Sequence, residues 1–560
     1  MIDWLHPSVL LMLGILPLIG LRGRARQIWQ VALPAIILGL ITTLSADTQV
    51  SLDFMGLELT PLRVDKLSLV FAYVIGLILI IGNIFALQVE DRAQHIAAGL
   101  YGASALGVVL AGDLVTLYVF WEIMMIASVW LIWRRKTQVA YEAGMRYLLV
   151  HALGGMLLFV GVIGYYLATG SVAFTQIDVD GWAFWLILIA FLINAAVPPL
   201  HAWLPDAYPE ATVTGTVFLS ALTTKTAVYT LMRGYPGLEL LLWLGVAMTL
   251  YGVIYATLIN DIRRLLSYHI ISQVGYMVAG VGMGTALALN GTAAHAFTHI
   301  LYKALLLMGA GAVLHMTGRS RMSDLGGLYK YMPMTFMLYM VGALSISAFP
   351  LFSGFVSKTM IVEAAAVDYR GVVYLLMLLA ACGTFLSTGL KLPYFTFFGK
   401  DSGLRPKEAP LNMQIAMGIA AALCFLIGIF PNTLYAILPF PVDYNAYTLS
   451  HLLKELQLLF FVGLGFVVVI RYAGGKDYIG LDVDWLYRGP GRRLVTRARD
   501  MIAEANHDVR AEFMQFLDKL QARMGKVHLN GSLLRSWATG SMALWTALVL
   551  ALLLVLSLGT

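Results

Sequence analysis

Long apolar runs separated by short polar or basic loops set the pattern of this chain. They fall at about 7–21, 27–45, 66–88, 95–111, 114–133, 144–168, 182–208, 212–232, 240–259, 265–286, 291–315, 333–363, 372–398, 411–430, 453–472 and 540–558. An apolar helix needs roughly 20 residues to cross a bilayer. The pattern therefore predicts an all-α polytopic membrane protein of about 16 spans. Two stretches depart from it. Residues 46–65 alternate polar and apolar positions (VSLDFMGLEL) and predict a short hairpin. Residues 473–538 are charged, and Val495, Ile502, Val509, Phe513, Phe516, Leu520 and Met524 recur at gaps of 7, 7, 4, 3, 4 and 4. That spacing makes an amphipathic helix, too charged to span, which is expected to lie along the interface or strap onto neighbouring helices.

Two apolar runs are interrupted. NAAVPPLHAWLPDAYPEA, from Asn194, carries Pro198, Pro199, Pro205 and Pro209, with His201, Asp206 and Glu210 between them. SISAFPLFSGFVSK carries Pro350, Gly354 and Lys358. Proline removes a backbone donor and blocks the carbonyl one turn back. An unpaired backbone group in lipid costs several kcal/mol, so a broken helix persists only inside protein or beside water. Two interrupted segments in corresponding halves are the mark of a transporter built from inverted repeats.

Composition agrees with this picture. Of 560 residues, 60% are hydrophobic and 12% charged, with mean hydropathy +0.80, against about 45–50% and 25% in soluble domains. The net charge of +6 is a topology signal rather than a nucleic-acid signal. With the N-terminus outside, loops assigned to the inner face carry sixteen Lys and Arg, and the outer loops carry only Arg63, Lys66, Arg233 and Arg370. This fits the positive-inside rule when each broken segment counts as one crossing. The first run has no basic region before it and reads as a span, not a cleaved leader. Cys382 and Cys424 lie in apolar runs, so neither a disulfide framework nor a metal cluster is expected.

Ionisable side chains inside the runs are the candidate chemistry, because each costs ~2.5–3.5 kcal/mol at mid-membrane. Glu122 lies about nine residues into its span, where a buried carboxylate can exchange a proton near neutrality. Asp113, nine residues earlier, reads as a helix cap. Lys225 lies mid-span in FLSALTTKTAVYTLM, and a buried lysine can hold or release a proton as its neighbours change charge. His295, His299 and Lys303 follow i, i+4, i+8 on one helix face. Zinc is the alternative for the histidine pair, but no carboxylate follows in that helix, and a proton relay with the lysine fits better. Lys358 follows the second break, where exposed helix ends can hold water or an ion beside a charge. Lys391, near the inner end of its span, reads equally as a relay group or a snorkelling lysine. Glu363, Asp206 and Glu210 are as readily caps or loop charges as path residues.

FWEIMMIAS, PLHAWLPDAYPEA, LTTKTAVYTLMR, DIRRLLSYHIISQVGYM, HAFTHILYKALLLM and FPLFSGFVSK occur in this order. Over residues 65–430 the chain resembles the antiporter-like subunits shared by respiratory complex I, membrane-bound hydrogenases and Mrp-type multisubunit Na+/H+ antiporters, and within them the Mrp D-type subunit. The resemblance implies spans 1–3 in residues 1–94 and inverted five-helix repeats in 95–232 and 240–398, with spans 7 and 12 broken. It further implies two spans in 399–472, an interfacial segment in 473–538 and a last span in 539–560. It implies a hydrated axis on which Glu122, Lys225, His295, His299, Lys303 and Lys358 match the family's pathway positions. Asn194 departs from it, standing where the family usually has a lysine that pairs with the glutamate matched by Glu122. Asparagine carries no charge, so Lys225 is expected to become the partner of Glu122.

The resemblance implies a proton-translocating subunit of a multisubunit Na+(or K+)/H+ antiporter in the bacterial plasma (inner) membrane, assembled with other membrane subunits. It implies no cofactor, no metal, no nucleic acid and no enzyme activity of its own. The alternatives are the pumping arm of a redox complex of the NADH:quinone oxidoreductase or hydrogenase type, or a coupling subunit of a bicarbonate-uptake system. With no Cys-rich cluster motif and no nucleotide loop, the chain is not itself a redox module.

Overall fold

The computed structural model describes residues 6–473, together with 482–483, 485, 487–491, 493–494, 496–497, 500–501, 515 and 518–519. The chain divides into two units, Met1–Asp482 and Val483–Thr560. In the second, a π-helical turn spans Tyr487–Gly491. The expected amphipathic stripe from Val495 to Met524 and the expected last span at 540–558 lie outside the described residues.

The first unit is almost entirely helical. Helices α1 (Pro7–Ile15) and α2 (Gly23–Thr43) lead into an antiparallel hairpin, β1 (Gln49–Phe54) and β2 (Leu57–Arg63), where the alternating pattern placed one. There follow α3 (Lys66–Phe85), α4 (Arg92–Leu110), α5 (Leu114–Trp133), α6 (Gln138–Thr169), α7 (Trp182–Asn194), α8 (Trp203–Ala207), α9 (Gly215–Ala221), α10 (Thr223–Gly234) and α11 (Glu239–Leu258). Next come α12 (Ile262–Met283), α13 (Ala286–Thr317), α14 (Pro333–Ile346), α15 (Ser353–Val367) and α16 (Gly371–Thr384). α16 continues through π-helical turns at Phe385–Lys391 and Tyr394–Phe398. The unit ends with α17 (Leu411–Ile429), α18 (Asn432–Tyr435) and α19 (Leu449–Ala473). Among the described residues, ten helices are long and apolar enough to cross a membrane, and three more are apolar but shorter.

Polar caps start the helices where the loops end. The Asp65 carboxylate accepts from Ser68 N–H and the Ser68 hydroxyl accepts from Asp65 N–H, a capping box on α3. Asp113 caps α5, accepting from Thr116 N–H at 2.7 Å, as its position suggests. The same devices return at a constant interval. Asp113 and Asp261 cap α5 and α12, Thr137 and Thr285 cap α6 and α13, and Gly170 and Gly318 end α6 and α13 in the left-handed region. Each pair lies 148 positions apart (113 to 261, 137 to 285, 170 to 318).

Both expected breaks are present, and both are built alike. At the end of α7, Ala195 N–H donates to Phe191 O (2.9 Å), Ala196 to Ile193 O (3.0 Å) and Val197 to Leu192 O (3.1 Å). At the end of α14, Ser347 donates to Ala343 O (3.3 Å), Ala348 to Ser345 O (3.1 Å) and Phe349 to Leu344 O (3.0 Å). Ala196 and Ala348 both have φ +56°. This is a Schellman stop with alanine where glycine is usual. It satisfies the carbonyls of Phe191, Leu192 and Ile193 at one end and of Ala343, Leu344 and Ser345 at the other before the prolines take over.

A third interruption falls in the stretch 212–232, where an unbroken helix was expected. α9 ends at Ala221 and α10 starts at Thr223. Thr223 N–H donates to the Tyr101 hydroxyl (3.0 Å) instead of back along the helix.

α12 and α13 form the buried centre, with almost every residue inside. α11 lies against α12 at backbone contact. A Cβ on Gly245 would meet Ala279 N at 2.3 Å, and one on Gly282 would meet Leu242 N at 2.1 Å. Small residues permit such close approach between membrane helices, where lipid offers no hydrophobic drive for association.

Candidate ion pathway

Each interruption adjoins a buried polar or ionisable residue in sequence: Asn194 ends α7, Lys225 follows the gap at Leu222, and Lys358 lies on α15 after the second break. Glu122, on α5, is half-buried, and its Oε1 has no hydrogen-bond partner. It lies against α6 at Gly155, where a Cβ would stand 1.8 Å from that oxygen. Asn194 ends α7, buried, with its Oδ1 unpartnered.

Lys225 is buried on α10. Its ammonium is not paired with Glu122, contrary to expectation. Lys225 Nζ donates to Ser220 O (2.5 Å) and Thr224 Oγ1 (3.1 Å). The reason is the interruption at Leu222. It frees the Ser220 carbonyl, which an unbroken helix would give to Thr224 N–H, and this acceptor lies within reach of the lysine's own stem.

On α13, His295, His299 and Lys303 share one face and are fully buried. The rings of His295 and His299 stand 6.1 Å apart, tilted by 51°. His295 Nδ1 is hydrogen-bonded with Ser357 Oγ (3.1 Å) and its Nε2 with the Tyr302 hydroxyl (3.3 Å). Both nitrogens of His299 and the Nζ of Lys303 have no partner. Lys358, on α15, has no hydrogen-bond partner and sits over the Tyr276 ring, 4.7 Å from its centroid. Lys391 lies in a π-helical turn and donates to Thr257 O (2.5 Å) and Ile259 O (3.2 Å) at the end of α11.

The acids near the first break are held by arginines. Arg146 grips Asp206 with two bonds (2.6 and 3.0 Å), and Arg135 donates to Glu210 (3.1 Å) and to Pro209 O (2.6 Å). The buried Arg263 of α12 donates to Pro209 O (2.7 Å), Ala211 O (2.9 Å), Thr212 O (3.3 Å) and the Thr216 hydroxyl. These guanidinium bonds satisfy carbonyls of the irregular segment between α8 and α9. His201, in the same break, is hydrogen-bonded with Asp482 Oδ1 (3.1 Å), which also accepts from Tyr251 (2.5 Å), while Asp482 Oδ2 accepts from Tyr268. Burial alone would raise the Asp482 carboxyl, but these bonds overcome it and hold it at about 2.

Several of these partners were not visible in the pattern. Ser357, Tyr302 and Tyr276 are ordinary helix residues until the fold brings them beside a histidine or lysine. Glu455 was passed over because it lies two residues inside an expected span, where charges are common. It is buried.

Residues 111–387 match the family described as NADH:quinone oxidoreductase/Mrp antiporter, TM. An uncharacterised protein of Methanocaldococcus jannaschii is 30% identical over 357 residues, covering 59% of this chain and 73% of that protein. The chain belongs to this family. Its members include the D-type Na(+)/H(+) antiporter subunit of Alkalihalophilus pseudofirmus, 32% identical over 53% of this chain and 64% of that protein. They also include hydrogenase-4 component B of Escherichia coli, 28% identical over 66% of this chain and 62% of that protein. The chain thus spans less than two thirds of either relative of named function. The fold is that of a chain in the Mrp complex from Dietzia sp. (TM-score 0.69, 23% identity, 80% of this chain and 99% of that one). It is equally that of a chain in the membrane-bound sulfane sulfur reductase, an archaeal respiratory membrane complex (TM-score 0.72, 24% identity, 99% and 100%). Family membership covers Glu122, Asn194, Lys225, the α13 triad and Lys358, and leaves Lys391 and α19 outside the matched region.

Proposed function

We propose that this chain is a proton-translocating subunit of a multisubunit monovalent cation (Na+)/H+ antiporter in a bacterial plasma membrane. The observation that carries the reading is the row of buried ionisable groups on α10, α13 and α15. His299, Lys303 and Lys358 in that row have no hydrogen-bond partner. A scaffold would gain by replacing an unpartnered buried ammonium with leucine, since each costs several kcal/mol to keep. A row of groups that exchange protons and feel one another's charge is what stepwise transfer requires.

In this reading Glu122 and Asn194 serve the first half and Lys225 links it to His299 and Lys303. His295 and Lys358 serve the second half, with Lys391 near its inner end. The shared caps and twin stops support two repeats, read here as inverted, in a chain of about 16 spans. No redox step belongs to this chain. Relatives in hydrogenase and respiratory assemblies favour a second reading, the pumping arm of a redox complex.

Gentle purification of the tagged protein with mass-spectrometric identification of its partners decides between the two. Small hydrophobic partners, and sodium-driven pH changes in vesicles, are the expected result. Partners carrying iron–sulfur, flavin or nickel centres would replace the antiporter reading with the second one.

A further inference from the structure

Glu455 lies on the second turn of α19 and is 4% exposed. Lys358, 2% exposed, lies five residues before Glu363 on α15, and Glu455 lies four residues after His451, the partner of Glu363, on α19, so the two groups stand at like depth on neighbouring helices, both more buried than that pair. One turn nearer the helix ends stands a second group. Glu363, five residues after Lys358, is paired with His451 Nε2 (3.2 Å) and Lys454 Nζ (3.6 Å). Five residues along a helix is about 7.5 Å. Side-chain exposure rises along this line, to 14% at His451 and 27% at both Lys454 and Glu363. The line therefore runs from the buried axis to the end of α15 that the loop charges assign to the outer face.

The surroundings suit proton passage. The charged and titratable groups near Glu455 are Lys358 of α15, Cys382 of α16, Tyr276 of α12 and Tyr444 of the α18–α19 connection, with His451 and Lys454, the partners of Glu363, on its own helix. Tyr444 donates to Thr359 Oγ1 (2.9 Å) and its ring lies 5.7 Å from that of His451. Lys454 sits over the Tyr374 ring at 5.3 Å. A buried carboxylate at the depth of a buried lysine, with an acid–histidine–lysine group one turn outward, has the form of a two-step outlet.

We propose that Glu455 is the outlet site of the second half-channel, taking the proton that Lys358 releases and passing it to the Glu363–His451–Lys454 group. The inference rests on the proposed proton-carrying role of Lys358. In the first step, relayed through water, an N–H bond of the Lys358 ammonium breaks and an O–H bond forms on the Glu455 carboxylate, leaving an amine and a carboxylic acid. In the second the acid gives the proton to His451, directly or through water, and returns to carboxylate. Each step moves one proton and no electrons. Once Glu455 is again charged, it favours reprotonation of Lys358 from the axis.

The test is ion-driven proton flux in vesicles containing the assembled complex, with Glu455→Gln, Glu455→Asp, Lys358→Met and Glu122→Gln compared across pH. Glu455→Gln is expected to lower flux at least tenfold with the full partner set retained. Glu455→Asp is expected to restore most of it with a displaced pH profile, which a purely structural carboxylate would not do. Flux of Glu455→Gln within twofold of wild type, while Lys358→Met is inactive, would overturn the outlet and leave the proposed function standing. Wild-type flux in all of Glu122→Gln, Lys358→Met and Glu455→Gln would overturn both. Where Glu455→Gln loses its partners, the more exposed Glu363→Gln is read instead. A loss of flux with normal assembly supports the outlet, and unchanged flux overturns it.

Discussion

Gly155→Ala is the sharpest test of where Glu122 must sit. A Cβ at residue 155 would stand 1.8 Å from Glu122 Oε1 and 2.8 Å from its Cδ. Ordinary van der Waals contact begins near 3.4 Å, so the carboxylate has to retreat by about 1.6 Å or rotate away. The atom it meets is the end of a flexible side chain, not backbone, so α5 and α6 keep their spacing. An off-rotamer glutamate costs about 1 kcal/mol. Alanine in place of a mid-helix glycine returns about the same amount. Stability and assembly should therefore be close to wild type. Transfer should not be, because misplacing a reacting group by about 1 Å costs on the order of 100-fold. Proton flux in vesicles, followed with a pH-sensitive dye, should fall at least tenfold. Glu122→Asp in the Gly155→Ala background shortens the side chain by one methylene and should recover part of the loss, a coupling that a double-mutant cycle reads directly. Wild-type flux in an assembled Gly155→Ala protein would refute the idea that this carboxylate is held in place to carry protons.

Three further outcomes are expected. Glu122→Gln should abolish transport whereas Asn194→Lys should not, since lysine restores the charge the family usually has there; wild-type turnover in Glu122→Gln would end the pathway reading of that residue. Arg263→Met leaves the Ala211 carbonyl without its guanidinium donor, while Pro209 O keeps Arg135, and should lower stability by about 1–3 kcal/mol, visible as a lower Tm in detergent. Asp482→Asn should destabilise the first unit at neutral pH by about 2 kcal/mol. Because the folded-state carboxyl lies at about 2, below its ordinary 3.8, the wild type holds this advantage above pH 4. It should lose it as pH falls from about 4 to about 2, so the Tm gap between the two proteins must close over that window.

What the sequence made legible follows from which forces act locally. Apolar runs of fifteen to thirty residues bounded by polar loops admit little besides helices, and each expected stretch between 7 and 472 contains helix, whereas the short α18 falls in none of them. Prolines 198, 199 and 350 marked two breaks because a missing donor is a local fact. The interruption at Leu222 carries no proline. It depends on the Tyr101 hydroxyl, 122 residues away in sequence, so no local pattern could show it. The failed pairing of Lys225 with Glu122 has the same root, since it was argued from charge alone and the freed Ser220 carbonyl was not visible. Gly155 and Glu455 were unremarkable for a related reason. A glycine in a membrane helix and a glutamate near a span end each have common roles, and only the neighbouring helix makes them particular.

The grip of Arg263 on the first break also bears on the order in which the chain can fold. The carbonyls it holds lie 51 to 54 residues earlier, on the far side of α11. As the chain emerges from synthesis, α7 and α8 enter the membrane with the end of their break lacking this donor. It is supplied only when the start of α12 arrives. The first half thus remains unfinished until the second half has begun, and release of α12 from its insertion site becomes the event that locks both.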